Sequence, residues 1–266
     1  MTISSVVIKA GAAALWMCLV SACTTLAPDK PAPEAAASDV TWLSAVQAND
    51  RSGAWQHRAF PGKKTTDYRA TLHEGRHAVR SESRAAASML RETLRVEAAD
   101  LGKVSFSWKV PALIATADLM QPDTSDSPVR LVLAFEGDRS TFSAKNAMLS
   151  ELALTLTGEP LPYATLMYVW GTQHVPGSII VSHRTDRIRK MVLESGPQHL
   201  GRWLDYERDI KADFEKAFGE APGALVAIGI MTDTDNTRGA AQAWYGPVRL
   251  RDHPLQPVLT TTVSTP

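Results

Sequence analysis

Residues 104–110 read Val-Ser-Phe-Ser-Trp-Lys-Val, apolar and polar side chains alternating without a break. A period of two sends successive side chains to opposite faces of an extended backbone, so this segment predicts a half-buried strand. Residues 129–135, 164–170, 177–181 and 225–231 are apolar runs of strand length. Such runs suit strands covered on both faces or lying in a sandwich core. Residues 55–60 and 68–72 alternate more loosely, and Pro61-Gly62 makes a turn between them. Residues 188–193 and 243–250 complete the set. Residues 83–97 carry alanines that favour helix, but Met89, Leu90, Leu94 and Val96 permit a strand, and the neighbouring strands favour that reading.

Two segments have helical spacing. In 143–156, Ala144, Ala147, Met148, Leu152 and Leu156 recur near one face, and Gly158 and Pro160 stop the pattern. In 207–218, Ile210, Phe214, Ala217 and Phe218 form a stripe and Gly219 sits where a helix-ending glycine belongs. Nine to eleven strands with two helices, and no regular strand–helix alternation, argue against a doubly wound parallel sheet. The expectation is a mainly β domain: a two-sheet antiparallel β-sandwich of jelly-roll type with one or two short α-helices. A sandwich of this size buries enough apolar surface to stand without disulfides.

The N-terminus adds a destination. Lys9 precedes the apolar run of residues 10–20, which is too short to span a bilayer and ends in Leu19-Val20-Ser21-Ala22-Cys23. This is the layout of a signal peptide, and its end resembles a bacterial lipobox. The resemblance implies cleavage before Cys23 and lipid on its sulfur and new amino group, a nearly permanent anchor. Thr24 in place of an aspartate points to the periplasmic face of the outer membrane. Residues 1–22 are then signal, 23–40 a lipidated Ala- and Pro-rich tether, 41–253 the sandwich and 254–266 a loose tail. Cys18 and Cys23 are the only cysteines, so the folded part has neither disulfide nor thiol nucleophile. The 28 basic and 28 acidic side chains balance, which removes any electrostatic motive for nucleic acid.

Chemistry-bearing motifs are sparse. There is no H-E-x-x-H, no G-x-S-x-G, no S-x-x-K assembly of the penicillin-binding type and no Gly-rich phosphate loop. The stretch Thr232-Asp233-Thr234-Asp235-Asn236-Thr237 offers oxygens at alternate positions, as a calcium loop does, with Asp233, Asp235 and Asn236 as ligands. The turn reading is favoured over it, since these side chains bond their own backbone, and a third reading is a ligand-binding loop at a sheet rim. Asp205, Glu207, Asp209 and Asp213 cluster near Arg202 and Trp203. They supply carboxylates for glycan cleavage or a solvated helix face. Among the tryptophans, Trp108 and Trp170 belong to apolar strands and are expected in the core. Trp203 and Trp244 lie beside polar segments and are candidates for stacking on sugar rings.

The motifs S-F-S-W-K-V (105–110), L-M-Y-V-W-G (166–171), L-G-R-W (200–203) with the following E-R-D-I and D-F-E-K-A-F-G-E, I-M-T-D-T-D-N-T (230–237) and W-Y-G (244–246) occur in order. Together they resemble the bacterial family called domain of unknown function 3047. The resemblance implies an exported protein with a β-sandwich similar to carbohydrate-binding modules. It places recurring polar positions at Lys109, Arg130, Glu207, Arg208, Asp213, Asp233, Asp235, Asn236 and Thr237. Pro247 stands where an acidic residue is expected after W-Y-G, which weakens any metal site drawing on the last strand. The expected function is non-catalytic binding of a glycan or envelope polymer through these positions and Trp203. The alternatives are a hydrolase or lyase pairing Glu207 or Asp213 with Asp233 or Asp235, and a structural envelope protein.

Overall fold

The computed structural model describes residues 55–251, and all the expected strands fall inside that span. The signal, tether, tail and Cys23 lie outside the described residues. Chain order is β1 (Gln56–Ala59), β2 (Asp67–His73), β3 (Arg76–Arg84), β4 (Ala87–Val96), β5 (Lys103–Lys109), β6 (Ser127–Phe135), α1 (Ala144–Thr157), β7 (Ala164–Gly171), β8 (Ile179–Val181), β9 (Ile188–Ser195), β10 (Trp203–Asp209), α2 (Ile210–Phe218), β11 (Leu225–Asp233), β12 (Ala240–Tyr245) and β13 (Arg249–Arg251). The strands form two sheets. A seven-stranded sheet runs β1-β4-β11-β6-β7-β9-β8; a six-stranded sheet runs β10-β5-β12-β3-β2, with β13 on β5. The chain is thus a two-sheet β-sandwich of jelly-roll type. Its pairings are antiparallel except β7 with β9, which run parallel.

The core lies between the sheets. Strand β5 contributes Val104, Phe106 and Trp108; β6 contributes Leu131, Leu133 and Phe135; β7 contributes Leu166, Tyr168 and Trp170. The Phe106 ring stacks 5.7 Å from Tyr168 across the interface. Trp108 and Trp170 are buried, as their strands predict. Part of the interface is polar. Thr232 Oγ1 on β11 meets Ser81 Oγ on β3 and Tyr245 Oη on β12, each at 2.8 Å, and Ser83 Oγ meets Thr234 Oγ1 at 2.8 Å. These hydroxyls satisfy one another, which is what allows them to be buried.

Several expectations need correction. Residues 83–97 are not one element: β3 ends at Arg84, Ala85 takes a left-handed φ of 48°, and β4 starts at Ala87. Residues 207–209 belong to strand β10; the helix starts only at Ile210, after Asp209, whose side chain accepts from the Ala212 backbone N–H. The expected strand 243–250 splits into β12 and β13 around Gly246-Pro247. Helix α1 forms where expected but is turned over. Its buried residues are Asn146 and Ser150, while Met148, Leu152 and Leu156 are 63%, 51% and 58% exposed. It docks through polar groups: Asn146 Nδ2 donates to Asp186 Oδ1, and Thr185 Oγ1 donates to Asn146 Oδ1, both at 2.7 Å.

Candidate functional site

The outward side chains of the six-stranded sheet fall into rows. Register pairs Arg69 with Arg80, Arg80 with Trp244, Trp244 with Lys109, and Lys109 with Trp203. Directly paired residues share a face, so one row of five side chains crosses five of the six strands, β2, β3, β12, β5 and β10. Its chemistry is cation, cation, indole, ammonium, indole. The inward neighbours along the same strands, Val79, Tyr245 and Trp108, are in the core. A period of two therefore places both tryptophans outside while anchoring their strands within.

The tip of the β2–β3 hairpin reaches over this row. His73 stacks on Trp244 at 4.0 Å and 7°. Glu74 bonds Lys109 Nζ. The Arg76 guanidinium lies 5.2 Å above Trp203 and donates to Asp205 Oδ1 at 2.7 Å. Strand β3 is three strands from β10, roughly 14 Å in a flat sheet. One arginine cannot span that gap in a flat sheet, so sheet twist and the bend of the hairpin tip together carry Arg76 across the row. The tip turns through Glu74 (φ 51°) and Gly75 (φ 74°), consecutive left-handed residues of the kind that two-residue hairpins need.

Electrostatics on this face centre on Lys109. Its side chain is only 9% exposed, between two indoles, with Nζ 5.9 Å from the Trp244 ring centre. Glu74 supplies the compensating charge and is itself 53% exposed. The Lys109 hydrogen bond holds the Glu74 carboxyl below the usual carboxylate range, with smaller help from His73 and Arg76. The Trp203 indole N–H and His73 Nε2 find no hydrogen-bond partner among the described residues.

The polar positions singled out from sequence do not converge here. Lys109 and Trp203 are on this face. Glu207 shares it but is paired to Lys103 at 2.9 Å, further along β10. Arg208 and Asp213 point inward, bonded to each other at 2.5 and 2.8 Å, and Asp213 accepts from Tyr168 Oη at 2.8 Å. Burial, then Asp213, pushes the Tyr168 hydroxyl well up. The remaining five gather against the outer face of the seven-stranded sheet, under residues 111–126. There Arg130 grips Asp233 at 2.8 and 3.0 Å. Asp126 accepts from the backbone N–H groups of Asn236 and Thr237, from Asn236 Nδ2 and from Thr237 Oγ1. Lys63 bonds Asp235. Glu207 and Asp213 thus sit on other surfaces than Asp233 and Asp235, with a sheet or the whole sandwich between. The expected carboxylate pairs for glycan cleavage do not form.

The calcium reading also meets a specific difficulty. Asp126, Asp233 and Asp235 bring carboxylate oxygens within 4.8 Å of one another, the grouping a hard cation accepts. Each is already met by donors, however: a guanidinium, an ammonium, or N–H and O–H groups. Asn236 turns its NH₂, not its carbonyl, toward Asp126. Three carboxylates thus meet two cations, Arg130 and Lys63, and a set of neutral donors on Asp126, so the oxygens a calcium ion would take are turned to protein groups. Asp126 itself was invisible in sequence, since it is remote from its partners and sits in an unremarkable loop.

The family model described as a protein of unknown function (DUF3047) matches residues 53–249. The chain belongs to the DUF3047 family. The matched span takes in both the tryptophan row and the buried charge knot. Among solved structures, the DUF3047 chain is similar to endoglucanase cel12A from Rhodothermus marinus at 12% identity and a TM-score of 0.41, covering 74% of this chain and 96% of that one. It is also similar to the xyloglucanase domain of NopAA, a type three effector from Sinorhizobium fredii in complex with cellobiose, at 8% identity and a TM-score of 0.36, covering 76% and 94%. No curated protein matches the sequence.

Elsewhere on this DUF3047 domain, a small shallow cleft is lined by Phe142, Leu161, Pro162 and Ile188 among others. Its one charged group, Arg187, is committed to Glu220 at 2.6 Å and lies 4.0 Å over Tyr163. The tryptophan row remains the candidate, its two indoles covered in this structure by His73 and Arg76 of the hairpin tip.

Proposed function

We propose that this domain is a non-catalytic glycan-binding module on an exported, lipid-anchored protein. One observation carries the reading: Trp244 and Trp203 stand in a single row on one sheet face, flanking Lys109. Indole faces stack on the apolar C–H faces of sugar rings, and strands hold them more rigidly than loops would. Arg69, Arg80, Arg76 and Asp205 surround them with groups able to bond hydroxyls. The anchor is part of the same proposal. Cys23 follows Leu19-Val20-Ser21-Ala22, and Thr24 favours the outer membrane, with the domain facing the periplasm.

The test is a glycan array and a peptidoglycan pull-down with the full chain carrying Cys23→Ser. Binding should be lost in a Trp203→Ala, Trp244→Ala double variant whose circular dichroism is unchanged. Wild-type protein that holds no glycan, or a double variant that binds as well as wild type, overturns the reading. Mass spectrometry of the native N-terminus checks the anchor: an unmodified Cys23 would remove it without touching the binding proposal.

A further inference from the structure

We propose that the ligand of the tryptophan row is an acidic glycan, whose carboxylate takes the place that Glu74 holds against Lys109. This rests on the glycan-binding reading and adds a ligand class and a mode of entry. The argument starts from Lys109. A charge that is 9% exposed between two indoles needs a counter-charge at all times, because an unpaired ammonium there keeps neither water nor a partner. Its partner is Glu74, half exposed at the end of a two-residue turn. Sheet geometry makes β5 and β12 rigid, whereas the hairpin tip is held over the face by side-chain contacts from His73, Glu74 and Arg76.

A sugar reaching the indoles has to displace that tip. A neutral sugar would strip Lys109 of its counter-charge and offer only hydroxyls in return. A uronate would restore the ion pair while its ring stacks on Trp244 or Trp203. The Glu74 carboxylate stands in for the group the ligand brings. The rest of the row is suited to the same charge. Among the described residues Arg69 and Arg80 are paired with Asp67 at 2.8 Å and Glu82 at 3.0 Å, through side chains 71% and 38% exposed. Exposed pairs of this kind rearrange at little cost. Lysine at the centre supplies a compact point charge with rotatable donors, tolerant of how the carboxylate arrives.

The experiment is calorimetric titration of the full chain with oligogalacturonate and oligomannuronate, each beside its methyl-esterified, neutral counterpart. The acid forms should bind at least roughly tenfold more tightly, as expected for a charge-assisted contact, with the difference shrinking as NaCl rises. Glu74→Gln, which leaves Lys109 without its counter-charge until a ligand supplies one, should tighten acid binding several-fold in protein whose circular dichroism matches wild type. Lys109→Met should abolish the difference between acid and ester. Acid and ester bound equally would overturn the inference and leave the glycan reading standing. Weaker acid binding by Glu74→Gln would overturn the displacement. Should Lys109→Met unfold, the Glu74→Gln result decides alone. Loss of every glycan interaction, acidic and neutral, would instead count against the module's proposed function.

Discussion

Arg130 and Asp233 face each other with side chains only 3% and 6% exposed, on adjacent strands of the seven-stranded sheet. Burial pushes the Asp233 carboxyl up, and the Arg130 guanidinium pulls it back. The pair works as a unit with the Ser127 N–H, which donates to Asp233 Oδ1 at 3.0 Å. Arg130→Met should therefore cost about 3–5 kcal/mol in urea denaturation, because it strands a buried carboxylate. Adding Asp233→Leu should recover most of that loss, since matched apolar replacements of buried pairs are often neutral. A double variant as unstable as the single would contradict this account. Little of the knot was legible in sequence. Asp233, Asp235 and Asn236 stood out as a local run of oxygens, but their partners Arg130, Asp126 and Lys63 come from more than 100 residues away. Spacing carries no signal over such a distance, so the run read as a turn or a cation loop and its true partners stayed hidden.

At the scale of elements, strands were readable wherever the period of two was enforced by one buried face, as in β5 and β6. Strand β10 was missed for a physical reason. Leu204, Tyr206 and Arg208 turn inward while Trp203, Asp205 and Glu207 turn outward, but the run merges at Asp209 into α2, whose apolar stripe extends a helical pattern backward. Asp209 marks the true boundary. Asp209→Ala should cost about 1 kcal/mol as the loss of an N-cap. Helix α1 was placed correctly and oriented wrongly, because a stripe of leucines implies burial only when a core lies on that side. Thermal melts separate the two orientations. Leu152→Gln, at a residue 51% exposed, should change stability by less than about 0.5 kcal/mol. Asn146→Ala, which removes two buried hydrogen bonds, should cost about 1–3 kcal/mol. The opposite ranking would mean that α1 packs on its leucines.

For the whole molecule, stability without disulfides has to come from burial, and the buried groups include some that prefer to stay neutral. Lys190 lies on the outer face of β9 beneath residues 111–126, donating to Leu119 O at 2.9 Å and to Ser125 Oγ. Burial, then the neighbouring Arg130, depresses it from 10.5 to about 7. Below pH 7 folded and unfolded chains both hold this proton, and the folded state bears the full cost of a buried charge. Between 7 and 10.5 the unfolded chain holds more of it, so unfolding free energy rises with pH by at most about 1.4 kcal/mol per unit. Tyrosines set the other limit. Burial raises the hydroxyls of Tyr68, Tyr168, Tyr206 and Tyr245 above their ordinary 10.0. Above that value the unfolded chain has lost these protons while the folded one keeps them, and stability falls. Urea midpoints should accordingly climb from pH 7, peak between about 9 and 10, and drop beyond. In Lys190→Met the climb should flatten and the midpoint at pH 6 should exceed that of wild type. A wild-type profile that declines steadily from pH 7 upward would show that Lys190 remains charged in the fold, with the segment above it held by an ammonium rather than by a neutral amine.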